Sequence, residues 1–294
     1  MLCNKLRALF YATCNPFDLT VVTILNQADA SALMIPMKEA GVIPPLIALL
    51  TEGSVEAKEQ AVGALVNLAV NPSNQAHIGE VGGIQALVHL LGDGVDSTKI
   101  LAAAALRNLA ADEDNRRSIE RAGAIPRLVA LLSDSSSLVG QIQATSALAR
   151  LALDEENKFV IAESGAIEVL VELAETSTSM PFRIEIARAI NNLALHHPSN
   201  KVYLAEAGAI HPLIALLHDG SLAGKRQAAR SLWSIAFDRD FDNVGVAVEI
   251  DVPDHLGDGG LGQDVPLTSG QHAQQGELLG GQFQARSGTG RLAT

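Results

Sequence analysis

Apolar and small residues recur at helical spacing along most of the chain, in two phrases that alternate and repeat. The first phrase joins a glycine to an apolar stripe, as in AGVIPPLIALL. Its glycines are Gly41, Gly82, Gly123, Gly165 and Gly208, with spacings of 41, 41, 42 and 43 residues. The second phrase, of the type ALRNLA, closes each period. Its aligned positions, called the ladder positions below, are Asn67, Asn108, Arg150, Asn192 and Ser234. A period of roughly 20–50 residues indicates a protein built of stacked structural repeats.

Each period predicts three helices. A short first helix runs from an opening asparagine, which is Asn74, Asn115, Asn157 or Asn200. The aligned glycine then permits a sharp turn, because glycine adopts positive φ without a steric cost. Proline follows in three of the units, within the first turn of the second helix, where a missing N–H is tolerated. The second helix carries the apolar stripe and the third is rich in alanine.

Three columns of the third helix are apolar or small in every unit, and they predict the core between stacked units. The large members are Leu65, Leu106, Leu148, Ile190 and Leu232, together with Leu68, Leu109, Leu151, Leu193 and Ile235. The small members are Ala64, Ala105, Ala147, Ala189 and Ser231. Burial of each large side chain contributes roughly 1.5–3 kcal/mol, and the small residues allow neighbouring helices to approach closely.

These phrases, N-x-x-x-I-x-x-A-G-x-I-P followed by A-L-x-N-L-A, resemble the armadillo repeat over roughly residues 20–240. HEAT repeats are the nearest alternative, but they usually lack the G-x-I-P junction. The resemblance implies an all-α fold, a right-handed α-solenoid of about five full repeats with a partial N-terminal one. We expect the partial repeat at residues 1–34, the array at 35–240 and a Gly- and Gln-rich, disordered tail at 241–294. In style the sequence is closest to the vacuolar armadillo scaffold and to plant-type armadillo proteins.

The composition limits the classes of partner and the cellular locations that we expect for this chain. A formal net charge of −12 argues against nucleic acid, which requires a cationic surface. The two cysteines, Cys3 and Cys14, cannot form a disulfide framework and favour a reducing compartment. The sequence lacks an apolar run of about 18 residues, so we expect no transmembrane segment. The expected location is the cytoplasm, with the nucleus as a second location.

No combination of residues predicts catalysis. The G-x-G-x-x-G match at 257–262 lacks the βαβ unit that dinucleotide binding needs. His196, His197 and His211 lack the companions of a metal site, and there is no nucleophile elbow. We therefore expect that the chain is not an enzyme and that it binds no cofactor, metal or small-molecule substrate.

The resemblance also implies a binding site, because the third helices of armadillo proteins line a concave groove. Their asparagines bind the main chain of an extended peptide, since an amide offers both a donor and an acceptor. The matching residues are Asn26, Asn67, Asn108 and Asn192, and the series is interrupted at Arg150 and Ser234. The alternative is that these asparagines only hydrogen-bond neighbouring backbones to one another.

Importin-α-type nuclear transport adaptors carry tryptophan four residues before each ladder asparagine. That column contains no tryptophan here: it reads Gly63, Ala104, Ser146, Arg188 and Arg230. A cationic strip therefore lies on the third helices of the last three units, formed by Arg150, Arg188, Arg226 and Arg230. Such a strip favours acidic peptide segments. Alternatively, Glu185 and acidic residues of neighbouring units neutralise these cations.

The sequence therefore predicts a non-catalytic protein-interaction scaffold or adaptor that binds extended peptide segments. One alternative is the substrate-recruiting region of a larger protein such as a U-box ubiquitin ligase. The other is a nuclear transport adaptor, which the missing tryptophan column disfavours.

Overall fold

The computed structural model describes residues 38–39, 41–134 and 137–237. The predicted partial repeat at 1–34, with Asn26 and both cysteines, lies outside them, as do the predicted tail at 241–294 and its glycine motif. The described residues form fourteen α-helices and no strand, which confirms the all-α prediction.

The helices follow the predicted order. The first unit contributes its second and third helices, α1 (Ile43–Glu52) and α2 (Val55–Leu68). The next unit has α3 (Pro72–Glu80), α4 (Gly83–Asp93) and α5 (Asp96–Leu109). Then come α6 (Glu113–Arg121), α7 (Ala124–Asp134) and α8 (Leu138–Leu151). The fourth unit has α9 (Glu155–Glu163), α10 (Ala166–Thr176) and α11 (Met180–Ala194). The fifth has α12 (Pro198–Glu206), α13 (Ile210–Asp219) and α14 (Leu222–Ala236).

The aligned glycine makes the turn between the first and second helices, as predicted. All five members of the column have φ between 73° and 90°. At Gly123 a Cβ would meet nothing within 4 Å, so the requirement for glycine there is conformational and does not come from crowding. Beyond this turn, the second helix of each unit packs against its third.

The first helices begin two residues earlier than predicted. Asp112 accepts a hydrogen bond from the backbone N–H of Asn115 at 2.9 Å and is the N-cap of α6. The opening asparagine is therefore the third residue of the helix, and it is buried. Its side chain hydrogen-bonds a backbone carbonyl inside the stack. Asn115 Nδ2 donates to the carbonyl of Gln75 at 2.9 Å, and Asn157 Nδ2 donates to the carbonyl of Leu151 at 3.1 Å.

The residue after the opening asparagine caps the end of a third helix, and it does so in two ways. Gln75 Nε2 and Arg116 Nη1 donate to Ala69 O at 2.9 Å and Ala110 O at 3.1 Å, at the ends of the third helices in the preceding units. Lys158 and Lys201 instead donate to carbonyls at the ends of α11 and α14, in their own units. The last carbonyls of a helix have no partner within it, and a cation also interacts favourably with that end.

The predicted core columns are buried in the first four units. Leu109 is 0% exposed, as are Leu65 and Ile190, and the small column is buried throughout. In the fifth unit Leu232 and Ile235 are only partly buried. Within the described residues no further unit packs against α14, which accounts for the difference.

The third helices pack more extensively against one another than the second helices do. Successive pairs α2–α5, α5–α8, α8–α11 and α11–α14 form the closest inter-unit contacts. The third helices therefore form the more extensively packed side of the stack, which is where the armadillo resemblance places the concave groove. None of the described helices is both long enough and apolar enough to cross a membrane.

Candidate functional site

The ladder positions lie near the C-terminal ends of the third helices, one to each helix. Asn108 Nδ2 donates to the carbonyl of Val66 on α2 at 3.0 Å, and Asn192 Nδ2 donates to that of Ala149 on α8 at 2.7 Å. Both asparagines are half-buried. Each therefore hydrogen-bonds the backbone of the third helix in the preceding unit. This is the contact expected if the asparagines only join neighbouring helices.

This contact leaves one N–H donor of each asparagine amide available for another partner. An asparagine side chain has two N–H donors and one carbonyl oxygen, and the inter-helix bond takes one donor. Asn108 Oδ1 accepts from Arg107 Nε at 3.3 Å and Nη2 at 3.2 Å, and Asn192 Oδ1 accepts from Asn191 Nδ2 at 3.1 Å. The second donor of each amide has no partner among the described residues.

The other ladder positions differ. Asn67 is half-buried, and its side chain forms no hydrogen bond within the described part of the chain. Ser234 is buried, and its Oγ donates to Asn191 Oδ1 on α11 at 2.8 Å. Arg150 is exposed on α8, and no other described residue hydrogen-bonds its side chain. Asn26 lies outside the described residues.

The remaining predicted cations lie on the last two third helices. Arg226 and Arg230 are exposed on α14 and have no ion pair within the described residues. Arg188 on α11 is also exposed, but it forms an ion pair with Glu185 one turn earlier. Glu185 also accepts a hydrogen bond at 2.7 Å from Ser146 Oγ on α8. The predicted neutralisation by Glu185 is therefore present at Arg188.

Arg107 belongs with these cations, although the sequence interpretation did not select it. It is half-buried on α5, and its pKa is lowered first by burial and then by the nearby positive charges of Arg150 and Arg188, against the opposing effect of Glu185. It immediately precedes a ladder position, in a column that also contains Asn191 and Trp233. Polar and aromatic residues in that column of an otherwise apolar helix were the available signal.

The column that carries tryptophan in nuclear transport adaptors has a different role here. Ala104 and Ser146 are buried, and Ser146 hydrogen-bonds Glu185 on the next third helix, whereas Arg188 and Arg230 in the same column are exposed. Trp233 lies outside it, is 57% exposed, and stacks on Phe237 with ring centroids 4.9 Å apart. The aromatic pair therefore lies at the end of α14, outside the register of that column.

The histidines do not form a metal site in the part of the chain that the structure describes. There, no three His, Cys, Asp or Glu residues are grouped so that they could hold an ion. His197 is instead the N-cap of α12: its Nδ1 accepts from the backbone N–H of Asn200 at 3.2 Å. Burial, followed by the charge of Lys158, lowers the pKa of His197.

An α-solenoid with a polar series along its concave third helices is the class of protein that these features define. A profile of the Armadillo/beta-catenin-like repeat matches residues 36–70, 71–111 and 197–237. An engineered protein of known crystal structure is 30% identical, with 80% of this chain and 96% of that chain covered and a TM-score of 0.71. A designed armadillo repeat protein is 29% identical, covers 74% of this chain and 92% of that chain, and has a TM-score of 0.70.

A second designed armadillo repeat protein, solved in complex with the peptide (KR)4, is also 29% identical over 74% of this chain and 92% of that chain, with a TM-score of 0.68. A comparison with curated protein sequences gives no match. The profile matches coincide with the first, second and fifth structural units, and the solved structures share both sequence and solenoid architecture. The chain belongs to the armadillo repeat family.

Proposed function

We propose that the chain is a non-catalytic scaffold that binds extended segments of partner proteins along the concave face of its third helices. The observation that carries this proposal is the state of Asn108 and Asn192. One N–H of each amide is held by the preceding helix, which fixes the amide plane, while the second N–H has no partner in the described residues. A fixed amide at regular spacing suits the main chain of an extended peptide, because it recognises the backbone and not the side chains.

The charge of this face favours acidic segments. Arg150, Arg226 and Arg230 are exposed without an ion pair in the described residues, although the whole chain carries a net charge of −12. One designed relative was solved with the basic peptide (KR)4. A basic peptide would be repelled by the arginines of the present face, so we expect the opposite preference.

The length of a suitable peptide follows from helix packing. Packed helices are about 8–10 Å apart, so the three intervals from α2 to α11 span about 24–30 Å. An extended chain rises about 3.3 Å per residue, so a decapeptide spans all four helices.

Fluorescence anisotropy with labelled decapeptides tests the proposal. The probes are (EA)5, (KA)5 and the neutral (GS)5, each titrated with the whole chain at low salt. We expect (EA)5 to bind most tightly and (KA)5 least tightly, with the affinity for (EA)5 falling as salt screens the arginines. If no peptide of any charge binds, the proposed function is wrong.

Asn67→Ala is the sharpest variant for the backbone-binding role. The side chain of Asn67 forms no hydrogen bond within the described residues, so its removal should leave the thermal unfolding curve unchanged while peptide binding weakens. Asn108→Ala should lower both the thermal stability and the peptide affinity, because it also breaks the hydrogen bond to the carbonyl of Val66. Arg121→Ala, which removes an exposed cation from a first helix, is the charge-matched control for variants of the groove arginines such as Arg150→Ala. Equal binding by the wild type and Asn67→Ala would contradict a role for this position.

Two finer proposals accompany this one. The absence of a tryptophan column supports a closer relationship to the vacuolar armadillo scaffold and plant-type armadillo proteins than to importin-α. The composition supports a cytoplasmic location, with the nucleus second. Fluorescence microscopy of the tagged chain in cells tests the proposed location.

A further inference from the structure

Three arginines and one glutamate lie on three successive third helices, α5, α8 and α11, which pack against one another in that order. Arg107 on α5 interacts electrostatically with Arg150 on α8 and with Arg188 on α11, and Glu185 on α11 interacts with the same group. Glu185 is paired with Arg188 and accepts a hydrogen bond from Ser146 of α8. We call Arg107, Arg150, Arg188 and Glu185 the arginine cluster.

The cluster has more positive charge than its own carboxylate can neutralise. It contains three guanidinium groups and one carboxylate, a net charge of +2 in a chain whose total is −12. Arg107 and Arg150 have no ion pair within the described residues. Like charges held close together raise the free energy of the unliganded state, and an anion bound between them would relieve that repulsion.

Arg107 is already oriented for such an anion. Its Nε and Nη2 donate to Asn108 Oδ1 at 3.3 and 3.2 Å, and Asn108 is itself anchored to Val66 O at 3.0 Å. A guanidinium has five N–H groups, so three N–H groups of Arg107 remain after these two bonds. Because the residue is half-buried, hydrogen bonds to an anion there are stronger than at a fully exposed arginine.

We propose that the arginine cluster binds a phosphorylated serine or threonine side chain of the extended segment. This proposal rests on the proposed function, because the peptide lying along the third helices would bring the phosphate to the cluster. A phosphate monoester carries a charge of about −1.5 to −2 at pH 7 and three oxygen acceptors, which matches the net +2 of the cluster. A single aspartate or glutamate supplies only one charge and two oxygens. Recognition of phosphate by grouped arginines is a known mode of peptide binding.

Glu185 sets the strength of this recognition. Its carboxylate already occupies one edge of Arg188 and adds a negative charge next to the place that the phosphate would take. Glu185→Gln would remove that charge while keeping a side-chain oxygen that can accept from Ser146. It should therefore tighten phosphopeptide binding, a gain that a folding defect cannot imitate.

The test uses labelled decapeptides of Gly, Ser and Ala that differ at the centre. One carries a single phosphoserine, one is unphosphorylated, one has aspartate in that place, and one has two aspartates at i and i+2. Anisotropy titrations use the whole chain, with the wild type, Arg107→Ala, Arg150→Ala, Glu185→Gln and the control Arg121→Ala. Because each charge-assisted hydrogen bond corresponds to roughly tenfold or more in affinity, we expect the phosphopeptide to bind at least about tenfold more tightly than the unphosphorylated peptide.

The variants distinguish this inference from the function on which it rests. Arg107→Ala and Arg150→Ala should each remove most of the phosphate preference, Glu185→Gln should increase the affinity, and Arg121→Ala should change nothing. Peptides that bind without any phosphate preference, or a preference that survives both arginine variants, would overturn the phosphate site and leave the scaffold function standing. Equal affinity for the phosphopeptide and the two-aspartate peptide would show that the cluster recognises two charges of any source, which also overturns it. No binding by any peptide, including (EA)5, would overturn both.

Discussion

Lys158 offers a sharp test of how the repeats are held together. It is 2% exposed on α9, and its ammonium donates to the carbonyl of Leu195, just after the end of α11. It also donates to Glu155 Oε1 at 2.6 Å. Lys158→Met keeps most of the aliphatic stem and removes the ammonium, so the Leu195 carbonyl loses its charged donor.

The expected loss of stability follows from these contacts. A hydrogen bond to a charged group contributes about 1.5–3 kcal/mol, and a cation at a helix C-terminus adds about 0.3–1 kcal/mol. Relief of the buried ammonium's desolvation offsets part of that loss. We therefore expect Lys158→Met to lower the free energy of unfolding by about 2 kcal/mol, or the Tm by about 4–8 °C at roughly 2–4 °C per kcal/mol.

Urea unfolding of the whole chain, followed by circular dichroism, measures this change. Hydrogen exchange should show the loss first in the last turn of α11 and in α12, because contacts in a repeat protein extend only to neighbouring units. Lys225→Met, at an exposed position on α14, is the matched control and should stay within about 0.5 kcal/mol.

Glu155→Gln separates the two bonds of Lys158. The Glu155 side chain is 60% exposed, so its ion pair should contribute less than about 1 kcal/mol. The reasoning is refuted if Lys158→Met and Lys225→Met unfold at the same urea concentration, or if Glu155→Gln costs as much as Lys158→Met.

Three further predictions concern the scaffold. Leu109→Ala should cost about 2–5 kcal/mol in urea unfolding, because Leu109 is 0% exposed and the truncation leaves a cavity; an unchanged midpoint would contradict the core assignment. Gly123→Ala should cost about 1–2 kcal/mol and Gly123→Asn less, since φ is 74° and the space is open; equal costs for the two variants would argue for crowding. The lowered pKa of His197 means that the unfolded chain takes up the proton first as pH falls through about 6.5. Stability should therefore decline from there down to the lower folded-state pKa, because burial disfavours the charged imidazole in the folded chain, and His197→Asn should remove this step from the pH dependence of the urea midpoint.

Repetition made most of the fold predictable from the sequence. The glycine column was identified because five units show it in register, and its backbone requirement is local, so every member has positive φ. The core columns were identified for the same reason, since a residue such as Leu109 faces the same surroundings in each unit. Where the surroundings change, as at Leu232 in the last described unit, burial also changes.

Side-chain partners could not be predicted in the same way. Whether Arg116 or Lys158 caps the helix of the preceding unit or of its own unit depends on the spatial reach of each side chain, and the partner of Lys158 is 37 residues distant in sequence. Arg107 was missed because its significance depends on Arg150 and Arg188 of two other helices. The aligned phrases show which residues share a column, but not which columns meet across an interface.

Arg150→Asn joins stability to binding in one measurement. At the neighbouring interfaces, Asn108 and Asn192 hydrogen-bond the backbone of the preceding third helix. Among the described residues Arg150 forms no such bond to α5 and instead adds a positive charge beside Arg107. Asparagine at this position should donate to the carbonyl of Arg107, gain about 0.5–1.5 kcal/mol and remove the repulsion. The variant should therefore unfold at a higher urea concentration than the wild type and bind acidic and phosphorylated peptides more weakly. Such opposite changes would mean that this interface gives up stability for an anion site, as function often requires. A variant that is less stable than the wild type, or that binds (EA)5 equally well, would refute this explanation of the arginine.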